Sequence, residues 1–378
     1  MAIDRLFLLM KEKAASDMFF AVNAPIQIKI NGNLYPINQQ KMDQTMILNL
    51  LNEVVPASKM EELEHDNELN IGLPVSGVGS FRLSAFRQRG SISAVLRYIP
   101  SHIPALKDAG LPPLLAELIM EKRGLLLVVG ATGSGKSTTI ASMLDHRNEL
   151  ATGHILTLED PIEFLFRNKK SIVNQREIGN DSASLTVALK NALRQAPDCI
   201  LIGEIRDKET MSAAIAYAQS GHLVVATLHA NNTYQALNRI INFFPLDNRQ
   251  SLLSDLAATI KAVVSQRLIA AIDGGRRAAV EIMLNTRHVA ELIEKGDLNQ
   301  IKEAIEKSMA PGSQTFEQSL LQLISSNVIT KEEAMLHADS ATNLFWLLNN
   351  KGEKAPEPST PVNATDDGAT FTEFTLNV

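Results

Sequence analysis

The run Gly130-Ala131-Thr132-Gly133-Ser134-Gly135-Lys136-Ser137, followed by Thr138, has a spacing that does recognisable chemistry. Glycines at the first and sixth places let backbone N–H groups turn inward around phosphate oxygens. A lysine directly after them supplies a point charge to the β- and γ-phosphates of ATP, and the hydroxyl beside it can ligate Mg2+. Gly130 through Thr138 are therefore the candidate ATP-binding residues, with Lys136 on the phosphates and Ser137 on the metal. Such a run arises by chance in on the order of one chain in a hundred, and a required strand before it and helix after it make chance rarer still.

Three polar residues elsewhere strengthen the case, because each follows a short apolar run. Glu159 follows ILTL, Glu204 follows CILIG, and His229 follows VVATL. If these runs are parallel strands of an open sheet, their carboxyl ends border one crevice, where ligands bind. A generic phosphate-binding enzyme of this type has an aspartate directly after the run CILI, but here that place is Gly203 and the acid is Glu204. Glu204 is expected on the metal side with Ser137, and Glu159 is expected to orient or deprotonate the attacking water. His229 suits a γ-phosphate sensor. His222 precedes the same run, and the odd separation of the two histidines points them to opposite faces of a regular strand, which disfavours a shared metal site. For His222 a structural role is as good a reading as a sensing one. Arg82, Arg87, Arg89 and Arg97 cluster earlier in the chain. Such a cluster is usually a solvated or edge-protecting face, although a guanidinium can also reach a phosphate held by another subunit.

The elements that must position these residues divide the chain of 378 residues. Residues 1–100 alternate apolar and polar residues around Asn31-Gly32-Asn33 and again across FRLSAFRQRGSISAVLR, as a small α+β domain with a sheet would. Four prolines between Tyr98 and Pro113 place a linker at 101–113. Over 114–275 the pattern becomes continuous apolar runs separated by helical stretches, the signature of βαβ units and a buried parallel sheet. Expected core strands are Leu125 to Val129, Ile155 to Leu158, Cys199 to Ile202 and Leu223 to Leu228. A helix over Arg206 to Gly221 has Asp207 as its cap and Gly221 as its stop. Asp273-Gly274-Gly275 turns between two apolar strands and helices follow to about Leu348, with Thr330 and Glu333 spaced for a capping box, and the C-terminal helical region is bounded at 276–350. The segment 351–378, rich in Pro, Thr, Asp and Glu, reads as a disordered acidic tail.

Composition narrows the function. A net charge of -6 and a pI near 5.8 argue against a general affinity for nucleic acid or anionic lipid. No apolar run approaches the roughly 20 residues that span a bilayer, and the first residues, with acidic Asp4, show no small-residue cleavage site, so a cytoplasmic location is expected. A single cysteine, Cys199, excludes an internal disulfide and a Cys-X-X-Cys zinc site. It reads as a small core residue.

Taken in order, GATGSGKSTT, LTLEDPIEF, LRQAPDCILIGEIRD and SGHLVVATLHANN resemble the Walker A, Asp box, Walker B and His box of the secretion ATPase superfamily. With FRLSAFRQRGSISAVLRYIP and the C-terminal helices, the resemblance covers about residues 1–350 and points to the PilT/PilU retraction motors of type IV pili. It implies an α/β fold in which a PAS-like N-terminal domain precedes a RecA-like ATPase domain with a parallel sheet and C-terminal helices. It further implies a homo-hexameric, Mg2+-dependent ATPase peripheral to the cytoplasmic face of the inner membrane, docked on the platform protein of the pilus machine. Catalytic and metal roles would fall to Glu159 and Glu204, nucleotide sensing to His222 and His229, and phosphate contact to Arg82 and Arg97. The principal motors carry AIRNLIRE at the start of the C-terminal helices. Here the matching stretch is HVAELIEK, His288 to Lys295, which keeps Leu292-Ile293 and has Ala290 and Glu294 where the arginines stand. With the added acidic tail, that departure favours the accessory branch, which assists a PilT-like retraction ATPase. Two other readings are a weakly hydrolysing ring component that regulates or bridges such a motor, and a nucleic-acid translocase, which the acidic pI disfavours.

Overall fold

The computed structural model describes residues 2–30, 32–99 and 102–350. Asn31 of the first turn, Ser101 of the linker and the whole tail 351–378 lie outside the described residues. In the N-terminal part, helix α1 (Ala2–Glu12) is followed by β1 (Asp17–Phe20), β2 (Pro25–Ile30) and β3 (Asn33–Lys41). Then come α2 (Gln44–Asn52), α3 (Ala57–Asp66), β4 (Glu68–Val75), β5 (Gly79–Gln88) and β6 (Ser91–Ile99). All strand pairs are antiparallel, in the order β3-β2-β1-β6-β5-β4. Period-two alternation sets the core: Leu69, Ile71 and Leu73 of β4 and Phe81, Leu83 and Ala85 of β5 are buried with Phe7, Ile47 and Leu63 of the helices. Arg82 lies between buried neighbours, so it faces away from that core. Directly paired residues share a face, and the register Lys29↔Asp17↔Arg97↔Arg82↔Gly72 runs one polar row across five strands.

The second sheet follows the linker. Leu106, in that linker, is buried against the second core, so the segment packs as well as connects. The chain then forms α4 (Leu114–Leu118), β7 (Gly124–Val129), α5 (Lys136–Leu150), β8 (Gly153–Glu159), β9 (Ser171–Glu177), α6 (Leu185–Ala192), β10 (Cys199–Ile202), α7 (Lys208–Gln219) and β11 (Leu223–Leu228). It continues through α8 (Thr233–Asn242), α9 (Arg249–Thr259), β12 (Ile260–Ala270) and β13 (Arg276–Leu284). The order is β13-β12-β7-β11-β10-β8-β9, parallel except for the β12–β13 hairpin. Its central strands β7, β11 and β10 are apolar at every position but Thr227 because both faces are covered. Leu125, Leu127 and Val129 enter one core and Leu126 and Val128 the other. Cys199 is a fully buried core residue, and burial pushes its thiol up to about 12.

Two sequence expectations need correction here. The two strands expected about Asp273-Gly274-Gly275 are β12 and β13, but a division at 275/276 cuts their hairpin, because Arg276–Leu284 belongs to the ATPase sheet. The purely helical segment comprises α10 (Arg287–Lys295), α11 (Ile301–Glu306), α12 (Phe316–Ser325), α13 (Lys331–His337) and α14 (Ala341–Asn349). Thr330 does cap α13, its Oγ1 accepting from Glu333 N at 3.2 Å, but the Glu333 carboxylate meets His337 instead of returning to the cap. The complete capping box belongs to Thr315 and Gln318.

Candidate active site

The loop between β7 and α5 has the shape its glycines require. A Cβ at Gly130 would lie 2.4 Å from Ser134 Oγ and 2.6 Å from the Gln266 carbonyl, and one at Gly135, where φ is +89°, would lie 2.7 Å from Gln266 Nε2. Gln266 is the residue that sequence reasoning missed. Buried on β12, it donates from Nε2 to the Ser134 carbonyl at 2.9 Å and accepts from Thr139 Oγ1 at 2.8 Å, tying the loop to the first turn of α5. The available signal was a long amide inside the apolar run of β12. Lys136 donates from Nζ to the carbonyls of Gly130 and Ala131, both at 2.9 Å. Burial pushes its ammonium below the ordinary lysine value, opposed by attraction from Glu204 and Glu163. Ser134 Oγ is buried against Gly130 with no hydrogen-bond partner, so it packs the loop from behind.

A cavity of about 490 Å3 opens above this loop. Thr132, Gly133, Lys136 and Ser137 line one side of it, and Glu159, Glu204 and His229 line the other. Gly130, Ala131, Ser134, Gly135 and Thr138 shape the loop without lining that cavity. The convergence follows from parallel pairing, since the ends of β7, β8, β10 and β11 lie on one edge. Gly203 explains why the acid is displaced by one residue. Its N–H donates to the Leu158 carbonyl at 2.8 Å, and a Cβ there would lie 3.0 Å from that oxygen and 3.2 Å from Glu159 Cα. The close approach of β8 leaves no room for an aspartate.

The two glutamates have different surroundings. Glu204 accepts from Arg206 Nε at 2.7 Å and lies 3.2 Å from His229 Nε2, so a guanidinium and an imidazole hold it in place. Glu159 is half-buried and accepts from Thr157 Oγ1 at 2.7 Å and Gln175 Nε2 at 3.2 Å. Burial raises its pKa above the ordinary 4.5, with those hydrogen bonds opposing. A carboxylate made more basic by burial suits proton abstraction from water, and one facing the phosphate loop across the cavity suits a cation. Arg206, also missed from sequence, bridges toward Asp160 Oδ2 at 3.9 Å.

Because Glu159 is ionised at neutral pH only at a cost, Glu159→Gln should be more heat-stable than the parent there while losing turnover. The sign follows from the raised pKa: the cost is full above the folded value and shrinks as pH falls, disappearing below 4.5. Melting curves at pH 8 and pH 4 test this. The gain should be present in the first and absent in the second.

The remaining candidates separate. Arg82 lines the same cavity in its own chain. Gly72, its neighbour in the polar row, has Glu177 Oε1 within 3.8 Å of where its Cβ would stand, so this edge of the N-terminal sheet adjoins the ATPase domain. Arg97 does not line the cavity; its Nε is bound to the buried Asp17 at 2.8 Å. His222 sits before β11, at the opposite end of the strand from His229. There its Nδ1 meets Ser220 Oγ at 3.1 Å and the Tyr217 carbonyl at 3.3 Å. Within one chain neither Arg97 nor His222 is part of the site.

A glycine loop and helix N-terminus opposed by paired glutamates at the carboxyl edge of a parallel sheet define a two-domain α/β ATPase. The chain belongs to the type II/IV secretion system protein family, whose model matches residues 2–336. Within that family it groups with the PilT/PilU retraction ATPases. It is 45% identical over 349 residues to the type IV pilus ATPase PilU of Pseudomonas aeruginosa, covering 92% of this chain and 91% of that one. It is 37% identical to the type IV pilus retraction ATPase PilT of the same organism, over 88% of this chain and 97% of that one. A crystal structure of the pilus retraction motor PilT with bound ADP superposes with a TM-score of 0.84 at 38% identity, covering 90% of this chain and 99% of that one.

Proposed function

We propose that this chain is the subunit of a hexameric, Mg2+-dependent ATPase that powers or assists type IV pilus retraction and twitching motility, in the accessory role beside a PilT-like motor. The observation that carries the ATPase reading is the convergence of Lys136, Ser137, Glu159, Glu204 and His229 on one cavity. Its oxygen-rich acidic wall fits Mg2+, a hard cation, and Ser137 and Glu204 would hold it. When bound, the ion neutralises charge on the phosphates. Lys136 and the loop N–H groups bind the β- and γ-phosphates, Glu159 takes a proton from the attacking water, and His229, tied to Glu204, reports on the γ-phosphate. Arg82 offers a further cation from the N-terminal domain. Arg97 and His222 are left to act across a subunit border, where the ring would bring them to a neighbour.

The accessory role rests on α10. Val289, Leu292 and Ile293 are buried, while Glu291 and Glu294 are exposed and Ala290 is half-buried. Where the principal motors carry two arginines, this helix therefore carries one neutral residue and one acid, Ala290 and Glu294, which removes or reverses attraction to an acidic partner there. The same observation favours the second reading, a weakly hydrolysing ring component that bridges a PilT-like motor to the platform protein at the inner membrane. No helix among the described residues is long and apolar enough to cross a membrane, so peripheral docking from the cytoplasm fits both readings. The test is pilus retraction in cells lacking this protein, lacking the PilT-like partner, or lacking both. Retraction is expected to fail whenever the partner is absent and to return in part with a hydrolysis-dead partner that still docks. Strong retraction by this protein alone would exclude the accessory role.

A further inference from the structure

Successive residues of β12 serve different neighbours, since side chains alternate along a strand. Gln266 holds the phosphate loop, and Arg267, next to it, holds the segment that follows His229. Arg267 Nη2 donates to the Asn231 carbonyl at 3.0 Å and pairs with Asp339, Nη1 donates to the His337 carbonyl at 2.5 Å, and the guanidinium carbon lies 3.9 Å from the Phe316 ring centroid. The other oxygen of Asp339 accepts from Asn232 Nδ2 at 3.0 Å. Asn232 in turn caps α8, accepting from Gln235 N at 2.9 Å. Arg267 and Asp339 are mostly buried, so this pair is better shielded from salt than a surface bridge.

The junction between α13 and α14 that carries Asp339 is itself fixed. Ser340 N donates to Glu317 Oε1 at 2.8 Å, and that buried carboxylate also receives Lys302 Nζ at 2.8 Å. Helices α12–α14 share an apolar core with the sheet, in which Phe316, Leu320, Ala334 and Leu344 pack with Ile269 of β12 and Ala279 of β13. The C-terminal unit thus reaches, directly from Asp339 to Asn232 and through Arg267 of β12 to Asn231, the loop whose first residue, His229, lines the nucleotide cavity and touches Glu204.

We propose that Arg267 and Asp339 form a latch through which the C-terminal helices set the position of His229, so that displacement of those helices changes the rate of hydrolysis. They are positioning residues, touching neither nucleotide nor metal. The inference rests on the reading of His229 as a group that meets the γ-phosphate. Direct attachment gives a physical route for coupling. The core that α12–α14 share with β12 and β13 keeps the helices packed when the latch is broken.

The test uses the full chain and the variants Asp339→Asn, Arg267→Ala, Asp339→Ala and the double alanine. Steady-state ATP hydrolysis is read together with hydrogen exchange at the amides of Asn231 and Thr233. The latch predicts a kcat lower by roughly 3- to 30-fold with KM changed far less, and faster exchange at both amides. It also predicts a double variant no worse than either single one. Unchanged kcat and exchange in Asp339→Asn, or additive losses in the double variant, would overturn it. If Arg267→Ala melts early, Asp339→Asn, which keeps the side-chain shape, decides alone. A parent chain that binds ATP and releases no phosphate would remove the ATPase reading, while exchange would still decide whether the latch holds the loop.

Discussion

Lys136→Ala is expected to reduce ATP hydrolysis by at least 10²- to 10³-fold, the scale for removing one preorganised charge-stabilising donor, and to weaken ATP binding severely. The lysine is buried under the loop, held by the Gly130 and Ala131 carbonyls at the cavity floor. Bound phosphates would exchange those neutral acceptors for charged oxygens, and a charge-assisted hydrogen bond is about twice as strong as a neutral one. The ammonium has already lost much of its water, so little further desolvation opposes the exchange. Alanine removes the cation and leaves the two carbonyls facing the phosphate, where they repel it. Parental turnover in this variant would sink the assignment of the loop. Isothermal titration with ATP reports the loss of affinity independently.

Glu204→Gln should behave differently, binding ATP within about threefold of the parent and losing turnover by roughly 10²-fold or more. Glutamine keeps the shape, and its carbonyl can still accept from Arg206, so the cavity wall stays in place. What is lost is a full negative charge on the side where Ser137 and Glu204 would hold Mg2+. The charge of Arg206 is then left with Asp160, 3.9 Å away, and His229 faces a neutral amide where the carboxylate stood at 3.2 Å. Binding and turnover measured on one preparation separate the two variants: the lysine change damages both, the glutamate change only the second. Equal loss of affinity in both would show that Glu204 meets the phosphates directly.

The contrast between β10 and β9 shows what could be read from sequence. Cys199 to Ile202 is apolar at every position because it is buried on both faces, so its bounds and the acid beyond it are legible. Ser171–Glu177 is an edge strand with mixed burial and a polar sequence, SIVNQRE, which has neither a continuous apolar run nor clean alternation, and it was not anticipated. Glu159, Glu204 and His229 were legible because chain position at a strand end implies spatial position at a sheet edge. Gln266, Arg206 and Arg267 were not, because what they touch depends on which strand lies beside β7 and how the C-terminal helices fold back. His222 illustrates the limit of motif proximity. It is close in sequence to His229, but a strand of six residues carries it to the far edge of the sheet. Arg82 and Arg97 are paired across β5 and β6, but only Arg82 lines the cavity, while Asp17 takes Arg97.

The account stands most directly on phosphate release by the purified full chain, measured with ATP in the presence of Mg2+ and again with the cation chelated, beside Lys136→Ala. It predicts steady release with Mg2+, loss of release on chelation, and background release from the variant under both conditions. Release from the parent no faster than from Lys136→Ala, or release from both that ignores chelation, would contradict it.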